Sequence, residues 1–294
     1  MDEIKIKTMD IELPTWDLSE IYENIDDPNI ELDIKKIKEL SEDFSIQWKG
    51  KIKDLNASEF LNCIETYQNI SEKIYKIGTH SNLIFATNME DPEISRYNAS
   101  VSDKLTEISS LLVFFTLELA KLDDKTVSEW TKGTNSSKWL PYLTILRKKN
   151  DYLLDPLVEQ VLIEKSATGR SAWVRLFDET SAALRFPFKK EMLSEAEILN
   201  LLSDPNPENR KLAGKSLSEV LENNKRILGM ILNVISRDRY IEDNKRGFKG
   251  IVSSRNLDND VEDEVVNTLV TTVNNAMPKL THRYYKWKAK QFGK

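Results

Sequence analysis

Between Ser58 and Asp91 the apolar residues Phe60, Ile64, Tyr67, Ile74, Ile77 and Ile84 recur three, four or seven positions apart. That spacing gathers them on one face of a helix. Pro92 restarts the chain, because proline fits only the first turn of a new helix. From Glu93 to Leu122 the stripe resumes through Val101, Leu105, Ile108, Leu111, Leu112, Phe115 and Leu119, and the two segments predict a hairpin of long antiparallel helices. Asp151 to Pro156 reads as a break. Leu157, Val161, Leu162, Trp173, Leu176 and Phe177 then predict one long helix, or two divided at Gly169, ended by Phe186-Pro187-Phe188. The turn-rich Asp204-Pro205-Asn206-Pro207 caps a helix starting near Glu208. Its stripe of Leu217, Leu221, Leu228, Ile231 and Ile235 carries it to about Arg237, on the order of 45 Å. Asn259 with Glu262 resembles a capping box ahead of Val265, Val266, Leu269 and Val273, and Pro278 separates that helix from the last one. Short strands are expected only near Phe186 to Phe188 and Gly250 to Ser253, and no fixed repeat is visible.

Composition strengthens the helical reading. Nine Gly and nine Pro in 294 residues are about half the usual share, which favours uninterrupted helices and disfavours an all-β sandwich. With 40% apolar and 31% charged residues the chain is an ordinary globular sequence of about two domains. Its most apolar run, Leu111 to Ala120, contains Glu118 and is too short for the roughly 20 residues a membrane span needs. It therefore reads as a core helix, with no membrane contact. A net charge of -6 opposes tight binding to nucleic acid phosphates. Met1 to Pro14 is charged and lacks the apolar centre of a secretory signal. Cys63 is the single cysteine, so no intrachain disulfide forms, and a reducing, cytoplasmic location is expected.

Little in the residue inventory carries chemistry. His80 and His282 are the only histidines, and neither lies in a His-Glu-x-x-His pattern that sets two imidazoles on one helix face for zinc. His80 sits beside its apolar stripe and reads as a surface or boundary residue. Cys63 cannot meet His80 if one helix holds both, since 17 residues span roughly 25 Å; Cys63 reads as a buried or boundary thiol. The adjacent acids Asp123-Asp124 and Asp178-Glu179 read as solvated helix faces rather than acid/base pairs. Gly169 lacks the spaced glycines and lysine of a phosphate loop and reads as a helix break. After Glu264 no acid occurs, while Lys279, Arg283, Lys286, Lys288, Lys290 and Lys294 alternate with Tyr284, Tyr285 and Trp287. This basic aromatic patch fits an amphipathic helix better than an RNA-binding module, whose affinity would fall steeply with salt.

Particular strings resemble the amino-terminal half of the oligoendopeptidase F family of zinc metallopeptidases. They are Leu13-Pro14-Thr15-Trp16-Asp17-Leu18, Asp26-Asp27-Pro28, Phe114-Phe115-Thr116-Leu117-Glu118-Leu119, and Ser166 to Trp173 leading into Leu176-Phe177-Asp178-Glu179. Leu193-Ser194-Glu195-Ala196, Ser254-Arg255-Asn256-Leu257 and His282-Arg283-Tyr284-Tyr285-Lys286 with Lys288-Ala289-Lys290 complete the series. The resemblance implies a mainly α fold: a helical amino-terminal lobe, residues 1–195, followed by the first helices of a zincin-type catalytic lobe, residues 196–294. It implies a peptidase that hydrolyses short peptides in a closed channel, with zinc held by a His-Glu-x-x-His helix and a later Glu. No such motif occurs up to Lys294. No catalytic or metal residue is therefore assigned to this chain, and its substrate-binding residues are unassigned. Arg255, His282, Tyr284 and Tyr285 are expected to line the channel or to support the zinc helix from behind. The chain is expected to be an amino-terminal portion, inactive and zinc-free alone, that needs a carboxy-terminal catalytic half. The rival expectation is a noncatalytic helical protein that binds peptides or partner helices.

Overall fold

The computed structural model describes residues 16–133 and 135–293. Met1 to Pro14, including the start of the first family-like string, and Thr15 lie outside the described residues. Three long helices form the main core: α1 (Pro28–Trp48), α2 (Ala57–Thr87) and α3 (Pro92–Ala120). Each start is fixed chemically. Asp27 and Asp91 cap helices whose first residue is proline, and Asn56 with Glu59 forms a reciprocal capping box. The expected α2–α3 hairpin is present. Helix α1 is absent from the expectations above, although Ile30, Ile34, Ile37, Phe44 and Trp48 bury one face at helical spacing. Phe44 meets Phe115 edge-on at 5.4 Å, and Tyr67 lies 4.4 Å from the same ring, so one aromatic knot ties the three helices. Two short helices, α4 (Asp124–Trp130) and α5 (Leu140–Lys148), close the bundle. Trp130 stacks on Phe60 at 4.5 Å and donates its indole N–H to the Leu55 carbonyl.

Gly169 divides the next segment into α6 (Pro156–Ser166) and α7 (Arg170–Ala183). Helix α6 lies on α3, and α7 lies on a 40-residue helix, α9 (Pro207–Arg246). Between them come β1 (Phe186–Phe188), β2 (Glu191–Leu193) and α8 (Glu195–Leu201). The two strands pair antiparallel, with Phe186 opposite Leu193. Phe186, Phe188, Ile198 and Ala213 form a second, smaller core. The chain ends in α10 (Ser253–Asp258), α11 (Asp263–Ala276) and α12 (Thr281–Gln291).

Three expectations need correction. Helix α9 runs to Arg246, well past Arg237, because its polar last turns bind α6 through side chains instead of apolar contact; Gly247, at φ 85°, then ends it. Gly250 to Ser253 is no strand: Ser253 N–H donates back to the Gly250 carbonyl and Ser253 opens α10. Asn259 caps no helix start but closes α10, its N–H donating to the Arg255 and Asn256 carbonyls. Asp263, held by the Ser253 hydroxyl at 2.5 Å and the Asn256 amide at 2.7 Å, fixes where α11 begins. Among the described residues no helix is long and apolar enough to cross a membrane.

Candidate functional site

The first bundle consumes its candidate chemistry in packing. Cys63 is wholly buried, and burial, with the Glu118 charge adding to it, pushes its thiol up to about 12. Such a thiol is no nucleophile near neutral pH. His80 is also wholly buried, contrary to the boundary reading. The chain before α1 covers it with the Tyr22 ring, edge-on at 5.2 Å, and α3 covers it with Tyr97, whose hydroxyl lies 3.0 Å from Nδ1. Burial holds this imidazole below its ordinary 6.5. Glu118 stands in the apolar run for a local reason: its carboxylate accepts from the Gly50 N–H at 2.8 Å and the Ile52 N–H at 3.3 Å, capping the turn after α1. Asp123 caps α4, Asp124 pairs with Arg147, and Glu179 pairs with Arg175. Asp178 is half-buried and raised by that burial.

A second polar centre joins the end of α9 to the main bundle. Arg246 makes two bonds to Glu159 on α6, at 2.5 and 2.9 Å, a third to Glu242 at 2.8 Å and a fourth to the Tyr152 carbonyl at 3.2 Å. Burial alone would raise the Glu159 carboxyl, but Arg246 and the Leu154 N–H outweigh it and hold Glu159 below its ordinary 4.5. Tyr152 stacks flat on Phe248 at 3.9 Å beside this cluster. Sequence reading missed the pair because its members stand 87 positions apart, and a Glu in a first helical turn looks like any acid placed against the helix dipole.

The open face lies on α11 and α12, neither of which buries a single residue. Val265, Leu269, Val270 and Val273 are exposed along α11, as are Tyr284, Tyr285 and Trp287 on α12. The aromatics touch one another, Tyr284 meeting Tyr285 at 5.5 Å and Trp287 at 6.2 Å. His282 and Arg255 are exposed as well. No hydrogen bond or ion pair among the described residues joins Arg255, His282, Tyr284 and Tyr285 to one another. Of the basic patch, Lys294 lies outside the described residues.

These residues do not fit a zinc ion. His80 is enclosed in the main core, His282 is on the open face, Cys63 is buried as a neutral thiol, and no three of His, Cys, Asp and Glu converge among the described residues.

The fold is mainly helical and similar to that of a solved oligoendopeptidase-F. It superposes on oligoendopeptidase-F from Enterococcus faecium with a TM-score of 0.77 at 21% identity, covering 89% of this chain and 53% of that one. The family model described as Oligopeptidase F matches residues 118–186, from the Glu118 cap to the first strand. An oligoendopeptidase F homolog of Borreliella burgdorferi is 22% identical over 94% of this chain and 46% of its own length. Oligopeptidase PepF of Bacillus subtilis is 22% identical over 92% of this chain and 41% of its own. The chain thus resembles the amino-terminal half of oligoendopeptidase F proteins, as its residue strings imply, and spans about half the length of the curated relatives it matches.

Proposed function

We propose that this chain is the amino-terminal helical portion of a cytoplasmic, zinc-dependent oligoendopeptidase that hydrolyses short peptides. In this reading residues 1–195 form the amino-terminal lobe and 196–294 open the catalytic lobe. Zinc and the Glu that activates water belong to a carboxy-terminal half. The observation that carries the proposal is similarity running along nearly this whole chain yet over less than half of two peptidase relatives. The bare apolar faces of α11 and α12 support it, because an amphipathic helix with no buried residue has the pattern of one covered by further protein. Arg255, His282, Tyr284 and Tyr285 then act as supports beneath the metal helix or as channel wall. The purified chain, assayed with a quenched fluorescent peptide and added zinc, is expected to give no metal-dependent cleavage. Cleavage that stays with the chain through removal of contaminating peptidase overturns the inactivity.

A further inference from the structure

A cavity of about 400 Å³ opens between the end of α3, the segment after α5, the last turns of α9 and α10. Its size falls in the range of small-ligand sites. Val113, Leu117, Leu146, Leu153 and Leu257 make most of the wall apolar. Among the polar side chains that interrupt that wall, two are more than nine-tenths buried and lack a hydrogen bond at one atom, Asp243 at 8% exposure and Ser254 at 4%. Neither the Asp243 Oδ1 nor the Ser254 Oγ has a hydrogen bond. Arg239 Nε stands 3.0 Å from Asp243 Oδ1 as an ion pair without aligned geometry. Buried polar atoms are rarely left without a hydrogen bond, and those that are take one from ordered water, an ion or a ligand.

The surrounding charges say what kind of partner. Arg246 is engaged by Glu159 and Glu242, Lys149 by Asp258 at 2.8 Å, and Arg239 by Asp243. The wall therefore holds four carboxylates against three cations, and its excess charge is negative. An anion finds no free cation there. A ligand with an ammonium head finds the Asp243 carboxylate, which it would share with Arg239, and the Ser254 hydroxyl, which turns toward it about a single bond; its hydrocarbon body finds the leucine and valine wall.

We infer that this cavity binds a small ligand carrying a primary ammonium on a short apolar body, with Asp243 and Ser254 receiving the head. The same chemistry is offered by a free aliphatic amine and by the amino-terminal residue of a peptide. The site is independent of the peptidase proposal, since every wall residue belongs to this chain and no metal enters.

Leucinamide, N-acetyl-leucinamide and Leu-Gly-Gly-amide, titrated into the ¹⁵N-labelled full chain, test the inference. Leucinamide is expected to shift amides in 113–120 and 239–257, and the acetylated probe, lacking the cation, to bind at least about tenfold more weakly, since a charged hydrogen bond is the stronger kind. Asp243→Asn is expected to weaken leucinamide by a similar factor. Leu257→Phe, which narrows the cavity without touching the polar pair, is expected to weaken both leucine probes together and serves if the Asp243 variant does not fold. Binding of Leu-Gly-Gly-amide equal to or tighter than leucinamide assigns a peptide terminus; its exclusion assigns a free amine. Equal affinity for the amine and its acetylated form, or no shift of the cavity amides by either leucine probe at millimolar concentration, overturns the inference.

Discussion

Glu159 illustrates how one carboxylate comes to matter. It is 9% exposed at its side chain and receives a forked guanidinium and a backbone N–H, so removing its charge leaves the half-buried Arg246 with only Glu242 as a charged partner. Glu159→Gln is expected to destabilise the chain by roughly 3 kcal/mol, the cost of breaking a buried pair. The pH dependence has a definite sign. A carboxyl held below its ordinary 4.5 in the folded state contributes stability that is complete above that value and is lost as pH falls toward and through the depressed one. His80 acts in the same direction at higher pH. Its folded imidazole is held below 6.5, so stability declines as pH drops under 6.5 and the unfolded chain takes up the proton. Thermal melts between pH 7 and 3 should therefore show a decline in two stages. The Glu159→Gln variant should keep the first stage and show a smaller second one, the remainder coming from Asp27, Asp123, Glu197 and Asp263, whose carboxyls hydrogen bonds also hold below their ordinary values.

At the scale of elements, α9 offers a paired test with opposite signs. Gly229 lies within the helix with open space about its Cα, so Gly229→Ala should stabilise by about 0.8 kcal/mol through helix propensity. Gly247 ends the helix at φ 85°, where a Cβ is strained, and Gly247→Ala should destabilise by about 1 kcal/mol. Urea titration of both variants reads the difference. The cap at Gly247 also explains what was legible in the sequence. Helices α2 and α3 could be read because nearly every turn buries an aliphatic or aromatic side chain in one core. The last turns of α9 could not, since Arg246 holds them through polar partners far along the chain, Glu159 and the Tyr152 carbonyl. Asn259 misled because Asn-x-x-Glu is a capping pattern wherever it falls, while the real start of α11 is set by Asp263 bonding to Ser253 and Asn256. Of the open face, the basic and aromatic residues were legible, since a run without acids is visible by eye. That His80 is sealed beneath Tyr22 was not, because the covering residue comes from 58 positions upstream.

For the whole molecule, burial is unevenly distributed. The main core runs from Tyr22 to Leu143, a smaller one gathers around Phe186 and Ala213, and α11 and α12 belong to neither. Backbone hydrogen bonds without buried side chains open locally with little free energy. Amide exchange is accordingly expected to be roughly a hundredfold or more faster in 263–291 than in the centres of α2 and α3. Uniform protection across all four helices in a monomer contradicts this account of the open face.

Helix α9 is the mechanical link in this arrangement. Its amino-terminal turns sit in the smaller core through Ala213, and its last turn is clamped to α6 by Arg246. Forty residues of α-helix make a rod of roughly 60 Å, stiff along its axis. A tilt of about 5° at one clamp sweeps the opposite end through roughly 5 Å over that length. The span between the clamps is thus fixed, and relative travel of the two cores has to pass through this lever arm as rotation.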